Sequence, residues 1–199
     1  MPPPAVILAG GRARRMGGGD KCLMPLGGQP LLDHILARVT PQAGPVALNA
    51  NGAPERFAHY GLPVISDEKD DRGPLAGVLA ALNWARGIGA DRVITLPADT
   101  PFLPQDLVPR LLLAQEPRPD RPAIAISAGR RHPVVGIWPT ELAQDLSRAL
   151  DQGTRRMSDW VDRLDPGLAE FPATQLDPFY NINRPEDLRR AEELSGART

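Results

Sequence analysis

This sequence has one cysteine, almost no net charge and no long apolar run, and each of these three features excludes a class of protein. With Cys22 as its one cysteine, the chain has neither an intrachain disulfide framework nor a cysteine-rich zinc site. A formal net charge of −1 creates no global field that attracts nucleic acid or an anionic membrane, so we expect neither as a partner. Since neither a signal peptide nor a long apolar span is evident, we expect a cytoplasmic location.

The composition is that of an ordinary globular protein. Of the 199 residues, 42% are hydrophobic and 24% are charged, which is enough apolar material to bury a sizeable core. The 23 prolines are scattered between apolar segments and indicate turns rather than a disordered tract. We therefore expect one domain that spans residues 1–199.

Short apolar runs alternate along the chain with segments of helical periodicity. The runs are apolar on both faces and bounded by turn residues, which is typical of buried parallel strands. Between them apolar residues recur at helical spacing, as at Leu75, Leu79 and Leu82. This alternation predicts a three-layer α/β/α sandwich with a Rossmann-like, mostly parallel sheet, and an edge strand over 168–172. The predicted strands are 5–8, 46–48, 63–65, 92–96, 123–126 and 134–138.

A glycine-rich, basic loop follows the first predicted strand, over residues 8–21. Glycines allow backbone N–H groups to approach an anion, and three arginines with Lys21 add positive charge, so the loop suits a polyphosphate. The loop does not match the ATPase phosphate-binding motif, because Asp20 precedes Lys21 and Cys22 follows it. The alternatives are a flexible turn, a solvated lysine and a small apolar cysteine that packs the helix start.

Acidic and amide side chains follow three other predicted strands. In such sheets, ligands bind beyond the carboxyl ends of the strands. Asp99 follows strand 92–96 and is a candidate ligand of Mg²⁺, which prefers hard oxygen donors. Asn49 and Asp67 follow strands 46–48 and 63–65, and a carboxylate there can accept two hydrogen bonds from guanine. The alternatives are a capping role for Asp99 and turn formation by the other two.

Further polar residues in the second half of the chain are candidates for a second substrate. His132 precedes strand 134–138, Arg155 and Arg156 form a basic edge, and Asn181 and Asn183 point amides at a loop. The alternatives are a surface histidine, a solvated helix start for the arginines, and an N-cap role for Asn183 at the last helix.

Taken in order, these segments resemble the molybdenum cofactor guanylyltransferase family, within the nucleotidyltransferases of Rossmann-like fold. The resemblance covers nearly the whole chain, and the ordered set is more specific than the first loop alone. Leu-Ala-Gly-Gly and Asp-Thr-Pro favour guanine over the related cytidylyltransferases, which typically carry Leu-Ala-Ala-Gly in the first loop. The matching pieces are Leu8-Ala9-Gly10-Gly11, Arg15-Met16-Gly17-Gly18, Asp20-Lys21, Asn49-Ala50-Asn51, Val64-Ile65 with Asp67, Gly73-Pro74-Leu75-Ala76-Gly77, Pro97 with Asp99-Thr100-Pro101, His132-Pro133 and Asn181-Ile182-Asn183.

The resemblance implies roles for individual residues. It implies a Mg²⁺ cofactor held by Asp99, and the convergence of the basic loop with this acidic strand end predicts catalytic roles for Lys21 and Asp99. For molybdopterin it implies the opposite side of the cleft, with His132, Arg155, Arg156, Asn181 and Asn183 as candidate contacts. The residues that it assigns to GTP are Leu8, Ala9, Gly10, Gly11, Lys21, Asn49, Asp67 and Asp99.

The function implied by the resemblance is transfer of GMP from GTP to the molybdenum–molybdopterin cofactor, with release of pyrophosphate. The substrates would be GTP and that cofactor, with transient contacts to molybdoenzymes or cofactor-delivery proteins. The alternatives are a molybdenum cofactor cytidylyltransferase, a sugar-phosphate nucleotidyltransferase, and a nucleotide-binding or cofactor-carrier protein without catalysis.

Overall fold

The computed structural model describes residues 1–10, 20–67, 73–173 and 176–196. Its strands are β1 (Ala5–Leu8), β2 (Pro25–Leu26), β3 (Gln29–Pro30), β4 (Val46–Asn49), β5 (Val64–Ile65), β6 (Arg92–Pro97), β7 (Ala123–Ser127), β8 (Arg130–Pro139) and β9 (Gly167–Phe171). Its α-helices are α1 (Leu31–Val39), α2 (Pro74–Gly87), α3 (Leu107–Gln115), α4 (Ala143–Asp151), α5 (Met157–Val161) and α6 (Pro185–Gly196).

A seven-stranded sheet in the order β5-β4-β1-β6-β8-β7-β9 forms the centre of the molecule, and β2 and β3 form a separate hairpin. Strands β5, β4, β1 and β6 pair in parallel, and so do β7 and β9, whereas β8 is antiparallel to both of its neighbours. The prediction of a mostly parallel sheet is confirmed, and so is the edge strand near 168–172.

The expectation that strand 134–138 is parallel is wrong. Strand β8 begins at Arg130, directly after Ala128 and Gly129, which both have positive φ angles and make a two-residue hairpin from β7. An apolar run on both faces shows burial but not strand direction, so the pattern could not reveal this reversal. Because β8 runs backwards, its first residues lie at the carboxyl edge of the other strands, and His132 is inside the strand rather than before it.

Helices cover both faces of the sheet, which confirms the three layers. Alternate side chains of the central strands point to opposite faces, so Ile7 packs with α1 and α3 while Val6 packs with α2, α4 and α5. Helix α6 packs at one end through Ala191 against Leu26 and Leu31. None of the helices in the described parts of the chain is long and apolar enough to cross a membrane.

Gly167 allows β9 to approach α3 closely, and this contact can be tested. A Cβ atom at Gly167 would overlap the backbone carbonyl oxygen of Ala114 in α3. We expect Gly167→Ala to lower the free energy of unfolding by about 1–3 kcal/mol, as measured by urea denaturation. The matched control is Gly87→Ala at the exposed end of α2, where an added Cβ meets nothing within 4 Å. An equal loss of stability in both variants would contradict this explanation.

Candidate functional site

A cavity of about 380 Å³ opens at the carboxyl edge of the sheet, where β1, β4 and β6 end. The register of the sheet creates it, because Leu8 at the end of β1 lies opposite Asn49 of β4 and Pro97 of β6. Gly11 lies outside the described residues. The other residues predicted to bind GTP all line this cavity: Leu8, Ala9, Gly10, Lys21, Asn49, Asp67 and Asp99.

An ion pair occupies one end of the cavity. Lys21 Nζ lies 2.5 Å from Asp99 Oδ2, and these side chains are only 14% and 18% exposed. Lys21 Nζ also donates to Asn183 Oδ1 at 2.7 Å, and Asn181 Nδ2 donates to Asp99 Oδ1 at 2.9 Å. The structure thus brings together a cation from the glycine-rich segment, a carboxylate from the end of β6 and two amides from the C-terminal region.

A second polar network occupies the other end, around Asp67. Its two carboxylate oxygens accept hydrogen bonds from Asn49 Nδ2 at 2.9 Å and from Asn51 Nδ2 at 2.8 Å. The backbone N–H of Asp67 in turn donates to Asn51 Oδ1 at 2.9 Å. These side chains therefore bind each other across two strand ends, which the turn-forming alternative does not explain. Asn51 is a site residue to which the motifs assign no role, although it belongs to the matching piece Asn49-Ala50-Asn51.

Helix α2 approaches the second network through a glycine. A Cβ atom at Gly77 would lie 2.6 Å from Asn49 Oδ1 and 3.2 Å from Leu8 Cδ2. Gly73, which precedes the helix with φ of 63°, lines the same cavity. The start of α2 can approach the strand ends because Gly77 carries no side chain, whereas Gly73 is favoured by its positive φ, since an added Cβ there would meet nothing within 4 Å.

Arg56 links the two ends of the cavity, a role that no local pattern in the sequence indicates. Its Nε donates to Asp20 Oδ2 at 2.6 Å, next to Lys21, and its Nη2 donates to the carbonyl oxygen of Asn51 at 2.8 Å. Its Nη1 donates to the carbonyl oxygen of Ala53. One guanidinium group therefore ties the segment that carries Lys21 to the loop that carries Asn51.

Cys22 behaves as a packing residue at the edge of the site. It is 1% exposed, and burial raises the pKa of its thiol to about 12. A buried thiol with so high a pKa is a poor nucleophile and a poor metal ligand. This environment agrees with the small apolar role considered for Cys22.

The candidate contacts for a second substrate are divided between different places. Asn181 lines the cavity, and Asn183 binds Lys21. The N-cap alternative for Asn183 does not hold, because α6 begins at Pro185, which leaves Arg184 at the N-cap position, and the side-chain oxygen of Asn183 accepts from Lys21 instead. His132 is buried beside Ser127 and does not line the cavity.

The two candidate arginines lie on the surface. Arg155 and Arg156 are exposed between α4 and α5, and neither lines the cavity. Arg155 Nη1 donates to the carbonyl oxygens of Leu150 near the end of α4 and of Thr154 in the connection to α5. Their contact with molybdopterin stays a prediction.

Asp99 is the group best placed to hold a divalent cation. Within residues 1–10, 20–67, 73–173 and 176–196, no three His, Cys, Asp or Glu side chains form a metal-binding group. A cation here would therefore rely on one carboxylate and on oxygen atoms from a bound phosphate, which is the usual arrangement for Mg²⁺. Each oxygen of Asp99 accepts one of the hydrogen bonds described, so each retains a lone pair for such a cation.

Comparison with known proteins identifies the family. A model of the MobA-like NTP transferase domain matches residues 5–166. The chain belongs to this family of nucleotidyltransferases. A molybdenum cofactor guanylyltransferase of Mesorhizobium japonicum is 50% identical over 195 residues, covering 95% of this chain and 94% of that protein. Another, from Rhodopseudomonas palustris strain BisB5, is 48% identical and covers 96% and 93% of the two chains.

A solved structure agrees with the family over nearly the whole chain. The crystal structure of molybdopterin-guanine dinucleotide biosynthesis protein A from Archaeoglobus fulgidus has a TM-score of 0.79 and 25% sequence identity. The match covers 98% of this chain and 99% of that one. The family resemblance and the nucleotidyltransferase fold expected from the sequence motifs are therefore confirmed.

The close approach of α2 to Asn49 predicts that a methyl group added at Gly77 weakens nucleotide binding. We expect Gly77→Ala to displace the Asn49 amide from Asp67 and to raise the Kd for GTP about 10-fold, as measured by isothermal titration calorimetry. Gly87→Ala, on the same helix but away from the cavity, is the matched control and should bind GTP as the wild type does. Unchanged binding by Gly77→Ala would show that the Asn49 contact does not contribute to nucleotide affinity.

Proposed function

We propose that this chain transfers GMP from GTP to the molybdenum–molybdopterin cofactor, forming molybdopterin guanine dinucleotide and pyrophosphate. Relatives named molybdenum cofactor guanylyltransferase support this, at about half identity over nearly the whole chain. The observation that carries the proposal is the Lys21–Asp99 pair, 2.5 Å apart, in the same cavity as the network around Asp67. One end of the cavity suits a polyphosphate, and the other suits a base that donates hydrogen bonds.

The Asp67 network is suited to guanine. The N1–H and the exocyclic amine of guanine form a parallel pair of donors, and a carboxylate can accept both. Asn49 and Asn51 hold the two oxygens of Asp67 in place, and each oxygen retains a lone pair after that contact. We infer that the base binds here, because adenine and cytosine do not present the same pair of donors.

The phosphates would lie at the end of β1. We propose that Leu8, Ala9 and Gly10, together with Gly11 from outside the described residues, bind them through backbone groups. Lys21 supplies the positive charge at this point. Its ammonium group has three N–H donors, and Asp99 and Asn183 accept two of them in the contacts described, so one donor remains for a phosphate oxygen.

The reaction is an in-line displacement at the α-phosphorus of GTP. A terminal phosphate oxygen of molybdopterin forms the new P–O bond, the bond to the β-phosphate oxygen breaks, and pyrophosphate leaves with the electron pair. The nucleophile is already ionised, so the site needs no strong general base, and positioning and charge neutralisation supply the catalysis. Lys21 offsets the charge that grows on pyrophosphate.

Mg²⁺ is the proposed cofactor. When bound, it would neutralise phosphate charge as a Lewis acid, with Asp99 as its ligand from the protein. Asn181, which donates to Asp99 Oδ1, would keep that carboxylate in its orientation. Asn181 contacts Asp99 and Asn183 contacts Lys21, so we propose that the phosphate of the acceptor binds beside these two amides.

Removing the charge of Asp99 tests the catalytic assignment. We expect Asp99→Asn to lower kcat for dinucleotide formation by about 100-fold or more, because it removes the proposed metal-binding carboxylate and leaves a neutral amide beside Lys21. Chromatographic detection of the dinucleotide measures the effect. Asp165→Asn, the same change at an exposed carboxylate that binds Arg118 and Arg121, is the control and should retain full turnover. Near-normal turnover by Asp99→Asn would refute the assignment.

The choice of base tests the role of Asp67. We expect a wild-type preference for GTP over ITP, which lacks the exocyclic amine, and over CTP. Asp67→Asn should lower kcat/KM for GTP about 100-fold and reduce the preference over ITP, because a carboxamide offers only one acceptor. Pyrophosphate release with each nucleotide is the measurement. Faster turnover with CTP than with GTP would favour a cytidylyltransferase. Turnover only with sugar phosphates would indicate a different acceptor, and GTP binding without pyrophosphate release would indicate a non-catalytic protein.

A further inference from the structure

A polar cluster lies outside the cavity, and the mechanism above does not use it. Ser127 at the end of β7 is fully buried, and its Oγ lies 2.7 Å from His132 Nε2 in the neighbouring strand β8. Ser127 Oγ also donates to both carboxylate oxygens of Asp177, each at 2.9 Å. None of the three residues lines the cavity.

The positions of the protons in this cluster follow from the carboxylate of Asp177, which can only accept hydrogen bonds. Asp177 accepts the Ser127 hydroxyl hydrogen and, through Oδ1, the backbone N–H of Phe179 at 2.8 Å. Since the hydroxyl has one hydrogen, its contact with His132 must be an Nε2–H that donates to the Ser127 oxygen. Burial lowers the pKa of His132, which agrees with a neutral ring protonated at Nε2. The order histidine to serine to carboxylate is not that of an activated serine nucleophile.

The cluster anchors one end of residues 177–183, which we call the asparagine segment. Apolar contacts support the same end, because the Phe179 ring lies 4.7 Å from the His132 ring and 5.2 Å from the Phe171 ring, measured between centroids. Phe179 is 2% exposed. The path of the segment away from β7 and β8 is therefore set at Asp177 and Phe179.

The other end of the asparagine segment is also held by a carboxylate. Asp187 in α6 accepts hydrogen bonds from the backbone N–H groups of Asn183 and Arg184, each at 2.8 Å. Between the two anchors, the N–H of Ile182 donates to the carbonyl oxygen of Asp99 at 3.0 Å. The Asn181 and Asn183 side chains extend from this stretch to Asp99 and Lys21.

We propose that Ser127, His132 and Asp177 are positioning residues, which hold the asparagine segment so that its two amides orient Lys21 and Asp99. The catalytic consequence rests on the proposed function, whereas the effect on the segment itself does not. Since the base end of the cavity is held by other residues, loss of the cluster should reduce kcat much more than it raises KM for GTP.

Ser127→Ala is the first test, with Thr140→Val as the matched control. Thr140 is also buried and donates one hydrogen bond, to the carbonyl oxygen of Ala90 at 3.1 Å, but it follows the far end of β8. We expect Ser127→Ala to lower kcat about 10-fold with little change in KM for GTP, and Thr140→Val to leave both unchanged. Equal losses in the two variants, or an unchanged kcat in Ser127→Ala, would overturn the proposal.

Two further comparisons distinguish a positioning role from a general loss of stability. His132→Gln retains an N–H donor toward Ser127, whereas His132→Leu removes it, so glutamine should restore most of the kcat that leucine loses. In a background of Asn181→Ala with Asn183→Ala, Ser127→Ala should cause no further loss, because its effect passes through those amides. Equal activity of the two His132 variants, or a full additional loss in the double background, would contradict the proposal.

Hydrogen exchange separates this proposal from the proposed function. We expect the Ile182 amide to exchange about 10-fold faster in Ser127→Ala than in the wild type or in Thr140→Val, because the segment opens locally. If the wild type forms no dinucleotide from GTP and the cofactor, the proposed function fails, and the exchange result still decides the positioning role. Unchanged exchange at Ile182 would refute the positioning role even in an active enzyme.

Discussion

The register of β1 between β4 and β6 is the constraint on which the site depends. Leu8 lies opposite both Asn49 and Pro97, so three strands end side by side and their following residues meet above the sheet. Parallel pairing makes this possible, because it aligns the carboxyl ends of neighbouring strands. A shift of one residue in either ladder would turn the side chain of Asn49, or those of the β6 residues that precede Asp99, toward the opposite face of the sheet.

The ion pair at the reacting end is held by amides rather than by apolar packing. Lys21 and Asp99 are largely removed from water, which weakens the hydration of both charges. Asn183 and Asn181 replace part of that hydration with hydrogen bonds of fixed direction. The pair therefore contributes orientation more than stability, and its geometry depends on whatever holds the C-terminal amides in place.

Sequence patterns located the residues that follow strands, and they failed where partners are distant in the chain. Leu8, Asn49 and Asp99 could be assigned to one edge because each follows an apolar run, and strand ends meet in a parallel sheet. The reversal of β8 was missed because an apolar run carries no direction. Arg56 was missed because its partner Asp20 lies 36 positions away, and local periodicity contains no information about such contacts.

Ser127 and His132 show that a recognised motif has the same limit, because it does not reveal partners that are distant in the chain. His-Pro was visible as a motif, but its contact with Ser127 depends on the hairpin between β7 and β8, and the next link, Asp177, lies 50 positions from Ser127. The role of His132 as a contact for the second substrate stays a prediction, whereas its buried hydrogen bond to Ser127 is visible only in the structure. Motif recognition identifies a residue, whereas its role depends on the direction of the strand that carries it.

The two polar networks of the cavity are built on different parts of the chain, which would allow one to bind the base and the other to hold the reacting groups in the proposed function. Asp67 and its amides belong to β4, β5 and the loops after them, whereas the amides at Lys21 and Asp99 come from the segment before α6. Among the described residues, every buried side-chain nitrogen and oxygen atom has a hydrogen-bond partner, so both ends are ordered by the protein itself. In the proposed reaction, such preorganised dipoles would need little rearrangement as negative charge develops on pyrophosphate, which is the condition under which they lower a barrier.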